Sequence, residues 1–140
     1  MITKQLTVLT GNSASHLSNI IALLSDKGID IRAHCLVDNS HGNCKLRMIV
    51  SEPENAVDIL QNEKFGVVVN DVLIIETDDK PGGLSRVLKL LEGDDIQIDY
   101  SYTAASDSPG TALMVFRFGN NLRAVSVLKR HGVHLLKTDA

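Results

Sequence analysis

Residues 77–84 read Thr77-Asp78-Asp79-Lys80-Pro81-Gly82-Gly83-Leu84, and this stretch decides how the chain around it folds. Pro81 fixes a turn, while Gly82 and Gly83 permit positive φ and a close approach of the backbone. The preceding segment, 69–77, is rich in Val, Ile and Leu and therefore predicts a strand. Apolar residues at helical spacing follow the stretch and predict a helix. They are Leu84, Val87, Leu88 and Leu91.

A second copy of this pattern lies earlier in the chain. Leu17-Ser18 recurs as Leu84-Ser85, an offset of 67 residues (84 minus 17). The offset holds without a gap as far as Leu46 and Leu113, and it then slips to 68. A register kept over that length indicates a duplicated unit.

Each copy has the order strand, helix, strand, strand, helix, strand. This order predicts an α+β fold with two ferredoxin-like βαββαβ units in tandem, each an antiparallel sheet with helices on one face. The units are expected at residues 1–68 and 69–140, and their closing strands at Gly66–Val69 and Val133–Lys137. Because about 70 residues make only a marginal core, we expect the two units to pack together.

One strand of the second copy places apolar residues on both faces of its predicted sheet. Strand alternation directs Leu113 and Val115 towards the helices. The residues on the opposite face are Met114, Phe116 and Phe118. Large exposed apolar patches usually mark contacts, so this face predicts a homodimer. Packing of one copy's sheet onto the other is the alternative.

The composition excludes several classes of function. Lys and Arg number 14 against 17 Asp and Glu, a net charge of −3, so neither nucleic acid nor an anionic membrane is an expected partner. No apolar run approaches the roughly 20 residues of a membrane helix, and the first residues lack a signal peptide's apolar stretch. We therefore expect a cytoplasmic protein whose two cysteines are reduced.

A metal site is considered at four residues whose types suit zinc, namely His34, Cys35, His41 and Cys44. Strand alternation counts against it, because both cysteines are predicted to face the core and His34 the other side of the sheet. We therefore expect no metal and no other cofactor.

Catalysis by a serine nucleophile is considered at Ser13, Ser15 and His16, which are close in sequence. No nucleophile elbow surrounds them, and no third member of a triad can be named. The chain is therefore predicted not to be an enzyme.

The stretch Asp79-Lys80-Pro81-Gly82-Gly83-Leu84 resembles the Asp/Asn-x-Pro-Gly-x-Leu signature of the ACT domain, a small regulatory module that binds amino acids. The aligned segment of the first copy is Asn12-Ser13-Ala14-Ser15-His16-Leu17. It keeps the polar residue and the leucine but has Ala14 and Ser15 in place of Pro and Gly. Element order and repeat cover the whole chain, which resembles a free-standing tandem ACT protein with no catalytic domain attached.

The resemblance implies an effector held between two modules, by the loop of one and the second strand of the other. The loop contacts map onto Asn12 and Asp79, and the strand contacts onto Asp30 and Gln97. The alternative from spacing alone is that Asp79 caps the helix and that Asp30 and Gln97 are solvated strand residues. The candidate ligand-binding residues are Asn12, Ser13, Ala14, Ser15, His16, Leu17, Asp30, Asp79, Pro81, Gly82, Gly83, Leu84 and Gln97.

The two implied sites differ in charge. One joins Asn12 to Gln97 and offers amide groups, which suit both ends of a neutral amino acid. The other joins Asp79 to Asp30, whose two carboxylates repel a carboxylate ligand. On charge, the Asn12 site is predicted to dominate.

The resemblance thus implies a non-catalytic regulatory protein. A free amino acid is its expected effector, and an enzyme of amino-acid metabolism is its expected partner. The alternative is a structural subunit that docks onto a metabolic enzyme or a transporter without binding a ligand itself.

Overall fold

The computed structural model of the chain describes residues 2–39 and 42–136. Two predicted features, the hairpin residue His41 and the end of the last strand at Lys137, lie outside the described residues. The elements follow the predicted order. They are β1 (Thr3–Gly11), α1 (Ala14–Ser25), β2 (Ile31–Asp38), β3 (Asn43–Val50), α2 (Pro53–Asn62), β4 (Gly66–Asp78), α3 (Gly83–Gly93), β5 (Ile98–Ala104), β6 (Thr111–Phe118), α4 (Asn121–Arg130) and β7 (His134–Leu135).

The chain divides into two compact units. The N-terminal unit spans Lys4–Asn70, and the C-terminal unit begins at Asp71 and includes Ile2 and Thr3. In the N-terminal unit, β3 pairs in antiparallel register with β2 and with β1, and β1 is also next to β4. Apolar residues of these strands pack against α1 and α2. Those with no exposed surface are Leu6, Val8, Ile20, Leu24, Met48, Ala56 and Leu60.

The C-terminal unit repeats this arrangement. Here β6 pairs with β5 and with β4, and β7 also pairs with β4. The core between this sheet and helices α3 and α4 contains Leu73, Ile75, Val87, Leu91, Phe116, Phe118, Ala124 and Leu128. Each unit therefore has the ferredoxin-like arrangement, and the predicted α+β tandem fold is confirmed.

One long strand, β4, joins the two copies. It runs for 13 residues, Gly66–Asp78, where the sequence predicted two shorter strands. The boundary between the compact units falls inside it, between Asn70 and Asp71. Strand propensity explains this continuity, because the segment is rich in Val and Ile and contains no Pro.

An extra residue in the second hairpin changes the register of β6. Leu46 pairs with Val8. Ile75, which lies 67 residues after Val8 (75 minus 8), pairs with Met114 and not with Leu113. The offset between the two copies therefore changes from 67 to 68 residues in the hairpin before β6, and not after that strand as the sequence alignment indicated. A slip of one residue moves every side chain of a strand to the other face of the sheet.

Met114, Phe116 and Phe118 consequently face the helices. Phe116 and Phe118 are only 1% and 3% exposed and belong to the core of the C-terminal unit. The prediction that these residues lie on the face away from the helices is wrong, and Leu113 and Val115 lie there instead. The homodimer prediction loses the observation on which it was based.

A β-bulge interrupts β2 near its start. Ile31 pairs with Val50 and Ala33 pairs with Ile49. One extra residue, Arg32, is therefore inserted in β2 between them. Beyond this residue, the two faces of β2 are exchanged relative to an unbroken alternation.

The bulge separates the two cysteines. His34 lies opposite Met48, on the helix-facing side that Cys44 shares, whereas Cys35 lies opposite Arg47 on the other side. Cys44 is buried and Cys35 is half-buried. The prediction that both cysteines face the core, with His34 on the other side, is therefore wrong.

Candidate functional site

The junction between β4 and α3 is a tight turn in which two glycines have different roles. Gly82 has a positive φ of 92°, a conformation that favours glycine. Gly83 is buried, and a Cβ on it would collide with the carbonyl oxygen of Asp78. The hydroxyl of Thr77 donates a hydrogen bond to the Gly83 carbonyl at 3.2 Å. The strand end and the helix start are therefore held in direct contact.

The N-terminus of α3 is open. Its N-cap is Gly82, and within the described residues no side chain caps it. The amide of Arg86 donates to the Gly82 carbonyl at 2.9 Å and begins the helical hydrogen bonds. The amides of Leu84 and Ser85 come before it and are directed out of the helix. Free amide donors at the positive end of a helix dipole attract carboxylates.

Asp79 does not cap α3. Its amide donates to the Gly110 carbonyl at 2.9 Å, and its side chain is exposed. The neighbouring carboxylate of Asp78 lies 3.6 Å from the ammonium nitrogen of Lys80. The interpretation that Asp79 only caps the helix is wrong, and its carboxylate, like Pro81, lies at the surface beside the open helix start.

The equivalent junction of the first copy is closed by its own side chains. Ser13 is the N-cap of α1, and its hydroxyl accepts a hydrogen bond from the His16 amide at 3.2 Å. The same hydroxyl lies 3.1 Å from that of Ser15. The His16 ring packs over Gly11, where a Cβ would collide with it. The other predicted residues of this segment are exposed or half-buried, namely Asn12, Ala14 and Leu17.

Asp30 and Gln97 precede β2 and β5, and both are exposed, as the alternation predicted. The Asp30 amide donates to the Ser51 hydroxyl at 2.9 Å, and its carboxylate lies 3.6 Å from the Arg32 guanidinium. The Gln97 carbonyl accepts from the Gly119 amide at 3.1 Å. Backbone contacts therefore fix both positions while their side chains face solvent.

The loop and the strand start of the same copy are far apart. Asn12 follows the end of β1 that pairs with Asn43, whereas Asp30 precedes Ile31, which pairs with Val50. Asn43 and Val50 are the two ends of β3. At about 3.3 Å per residue, this strand separates the two positions by roughly 20 Å. One small molecule therefore cannot contact Asn12 and Asp30 within the N-terminal unit.

A cleft of 170 Å³ opens beside the β4–α3 junction, and its charged residues were not predicted from the sequence. Its charged or ionisable lining residues are Glu76, Asp78, Arg86 and His134. Glu76 and His134 are 58 residues apart in the chain, so no local motif reveals them. A comparison of the two copies does reveal the charged residues Glu76 and Arg86, because their equivalents at the 67-residue offset are the uncharged Leu9 and Asn19.

The sequence profile described as an ACT domain pair matches residues 1–139. The chain belongs to the ACT domain pair family. The family inferred from the signature at Asp79–Leu84 is thereby confirmed. No curated protein matches this ACT domain pair.

Solved structures resemble this ACT domain pair over most of its length. Protein BT0572 from Bacteroides thetaiotaomicron is 32% identical, with a TM-score of 0.90 over 97% of this chain and 92% of that one. The ligand-free regulatory subunit of aspartate kinase from Thermus thermophilus is 9% identical, with a TM-score of 0.64 over 91% and 90% of the two chains. The corresponding subunit from Thermus flavus is 11% identical, with a TM-score of 0.63 over 92% and 90%. At these identities, the similarity to the two kinase subunits shows only that the fold is shared.

Two further properties of this ACT domain pair concern metals and membranes. Among residues 2–39 and 42–136, no three His, Cys, Asp or Glu side chains are grouped so that they could hold a metal ion. In the same part of the chain, no helix combines the length and apolar character that crossing a bilayer requires.

Proposed function

We propose that this ACT domain pair is a regulatory protein without catalytic activity of its own, and that it binds a free amino acid at the β4–α3 junction. The observation that carries this proposal is the uncapped start of α3 behind Gly82 and Gly83. The amides of Leu84 and Ser85 are available to the carboxylate of the amino acid. The exposed carboxylate of Asp79 is available to its ammonium group.

The capping difference between the copies favours the second junction over the first. A carboxylate at α1 must displace the Ser13 hydroxyl that already accepts from the His16 amide. At α3 no such competitor is present among the described side chains. The charge argument that favoured Asn12 is also weaker, because Lys80 lies 3.6 Å from Asp78 and offsets part of the negative charge.

The family resemblance also implies a second contact with the amino acid, from the start of a second strand. Within the C-terminal unit the start of β5 is excluded, because it lies at the end of β6 opposite the β4–α3 junction. Of the two residues to which the resemblance points, Asp30 is therefore the one proposed; its carboxylate is exposed and lies 3.6 Å from the Arg32 guanidinium. A double-mutant cycle tests the contact by combining Asp79→Ala with Asp30→Ala. A coupling energy above about 0.5 kcal/mol supports a shared ligand, and additive effects argue against it.

The proposed target of the regulation is an enzyme of amino-acid metabolism. Support comes from the fold shared with the two aspartate kinase regulatory subunits. An effector changes such a partner only through its different affinities for two states of the regulatory protein.

Calorimetric titration with each of the twenty common amino acids tests the function. We expect one to bind, and at 100 times its Kd to raise the free energy of unfolding by about 2.7 kcal/mol. Asp79→Ala should weaken that binding at least about tenfold, since a charge-assisted hydrogen bond contributes about 1.5–3 kcal/mol. Asn12→Ala, at the equivalent position of the first copy, is the matched control and should leave the affinity unchanged. The reverse result would place the site at Asn12.

A second candidate function is docking onto a partner without any ligand. It is favoured by Leu84 and Leu88, which are one turn apart on α3 and are 45% and 38% exposed. If none of the twenty amino acids binds or shifts the melting temperature, the docking function is the better explanation.

A further inference from the structure

One side of β4 is an open sheet edge along its first five residues. The strand order places β1 on one side of β4 and β6 on the other. The pairing of β6 with β4 covers only Leu73–Asp78. Among the described residues, no strand pairs with Gly66–Asn70 on the side of β6. The first part of β4 is therefore an edge, although the rest of the strand is internal to the sheet.

A side chain marks the point where the pairing of β6 stops. Nδ2 of Asn121 donates a hydrogen bond to the Asp71 carbonyl at 2.9 Å, and its Oδ1 accepts one from the Phe118 amide at 3.1 Å. The amide side chain thus replaces the next ladder hydrogen bonds between β4 and β6. The residues of β4 before Asp71 lie beyond this closure.

The backbone groups of Val67 and Val69 point to the open edge. In a strand, alternate residues direct their N–H and C=O groups to the same side. The Asp71 carbonyl points to the side of β6, whereas the Ile74 carbonyl points to the other side and accepts from the Leu136 amide at 2.9 Å. Val67 and Val69 share the parity of Asp71, so their backbone groups are available to a further strand.

The open edge is apolar and uncharged. It reads Gly66-Val67-Val68-Val69-Asn70. Charged residues, proline or a covering element usually protect an edge strand from pairing with another chain, and none of these five residues is charged or proline. Val68 and Val69 are 51% and 46% exposed. The edge is therefore suited to the addition of another strand.

A groove of 290 Å³ lies beside this edge in the N-terminal unit. It is lined by Lys4, Pro53, Glu54, Val57, Asp58 and Val69. The side chain of Val67 packs against the core of the same unit and so lies on the helix-facing side of the sheet. By strand alternation, Val69 lies on that side too and Val68 on the other. A strand added to the edge would place its own helix-facing side chains at the groove.

We propose that the open edge pairs with the same edge of a second molecule of this chain, about a two-fold axis at Val68. The two edges are then antiparallel, and Val67 of each molecule lies opposite Val69 of the other. Because both side chains face the helices, each Val67 enters the groove beside its partner's Val69. The five residues of one open edge match the five of the other, and no like charges meet along the strands.

The helices favour a second molecule over an isolated strand as the occupant. In each molecule, α2 packs over β1 and the first part of β4. Neighbouring strands are about 4.8 Å apart, so the two α2 helices would be separated by two strand spacings, or about 10 Å. Packed helices lie about 8–10 Å apart. A second molecule therefore covers the groove with a helix, which a lone strand would not do.

The charges of the groove weaken this dimer in a way that can be measured. Each groove has the carboxylates of Glu54 and Asp58 against the single ammonium group of Lys4. The two grooves face each other across the axis with net negative charge, and salt screens such repulsion. We therefore expect the dimer to become tighter as the salt concentration rises.

Amide exchange of the full chain, resolved by NMR, tests the pairing. It is measured below and above the concentration at which light scattering shows half of the molecules to be dimers. The amides of Val67 and Val69 should exchange at least about tenfold more slowly in the dimer. The Val68 amide points to β1 and should keep its rate. A single-chain mass at every concentration, or unchanged exchange at Val67 and Val69, would overturn the proposal.

Cross-linking tests the register. Opposite residues of a non-hydrogen-bonded antiparallel pair have Cα atoms about 4.5 Å apart, within the range of about 4.4–6.8 Å that a disulfide spans. Val68→Cys, combined with Cys35→Ser, should therefore form a covalent dimer on mild oxidation. Leu36→Cys in the same background is the matched control, since Leu36 is 41% exposed on the edge strand β2. Equal cross-linking of the two variants would overturn the two-fold axis at Val68.

A charge variant tests the position of α2. Asp58→Asn removes one of the opposed carboxylates and should tighten the dimer about twofold. Asp26→Asn removes an exposed carboxylate at the end of α1 that does not line the groove, and it should leave the dimer unchanged. A dimer that is weakened by Asp58→Asn or by added salt would overturn the facing of the two grooves.

Discussion

Single residues decide which of the two helix starts is open. Ser13 supplies a hydroxyl that satisfies an amide of α1, whereas Gly82 has no side chain to offer to α3. Gly83 adds a second constraint, because the strand end passes so close that only a hydrogen fits in place of a Cβ. The Pro-Gly-Gly sequence therefore sets both the shape of the turn and the availability of its amides.

Gly83→Ala is predicted to destabilise the chain. The new Cβ collides with the backbone carbonyl of Asp78, and overpacking of this kind costs about 1–3 kcal/mol. Gly93→Ala is the matched control at the other end of the same helix, where a Cβ has open space. It should raise the stability by up to about 1 kcal/mol, because alanine favours a helix over glycine. Urea denaturation of both variants measures the two effects, and equal stabilities would contradict the prediction.

At the scale of elements, the sequence predicts the order of the helices and strands correctly. It does not predict on which face of the sheet the side chains of β2 and β6 lie. Repeat, periodicity and turn residues indicated the position of each helix and strand, because each depends on local spacing, but not that the two strands at the joint form the single strand β4. The β2 bulge at Arg32 recurs in β5, between Ile98 and Tyr100, yet both strands alternate without any visible break in the sequence. The extra hairpin residue before β6 was hidden by the agreement of Leu46 with Leu113. Both features need pairing partners to be recognised, since register is a relation between strands.

The bulge predicts that the two cysteines differ in reactivity. Cys35 is half-buried on one face of the sheet and Cys44 is buried on the other, so only Cys35 is accessible to a thiol reagent in the folded chain. We expect one fast and one slow reaction with Ellman's reagent, the slow one limited by opening of the core. Cys35→Ser should remove the fast phase and Cys44→Ser the slow phase. Two equally fast thiols would contradict the assignment of the faces.

At the scale of the whole molecule, the two copies keep one fold and differ in chemistry. The junction of the first copy is closed by Ser13 and lacks charged residues at the positions of the cleft. The junction of the second is open and charged. The signature made the loop predictable, but the cleft was not, because its charged residues come from three elements that only the fold brings together.

Hydrogen exchange should reveal this asymmetry. When the tightest-binding amino acid is added, we expect slower amide exchange at residues 77–86, which form the loop and the first turn of α3. The equivalent loop of the first copy, residues 12–17, should show no change. Equal protection of both loops would mean that each copy binds a ligand.

Self-association remains a prediction, and the structure suggests a different surface for it. Val68 and Val69 in β4 are 51% and 46% exposed, and large exposed apolar side chains favour contact with another chain. We expect light scattering to give twice the chain mass of 15.2 kDa, and Val68→Lys to reduce it to one chain. Leu122→Lys, at a 76% exposed leucine of α4, is the control. A single-chain mass for the unmodified protein at micromolar concentration removes the prediction.

The continuous strand β4 has a consequence for how such a gene can change in length. An insertion or deletion of one residue within Gly66–Asp78 would exchange the buried and exposed side chains of the strand beyond that point. A flexible linker tolerates the insertion or deletion of a single residue, but the strand β4 that connects the two copies does not. Such changes must accumulate in the hairpins, where the extra residue before β6 is already one example. Across descendants of this gene, we expect the joint to keep its length while the hairpins vary.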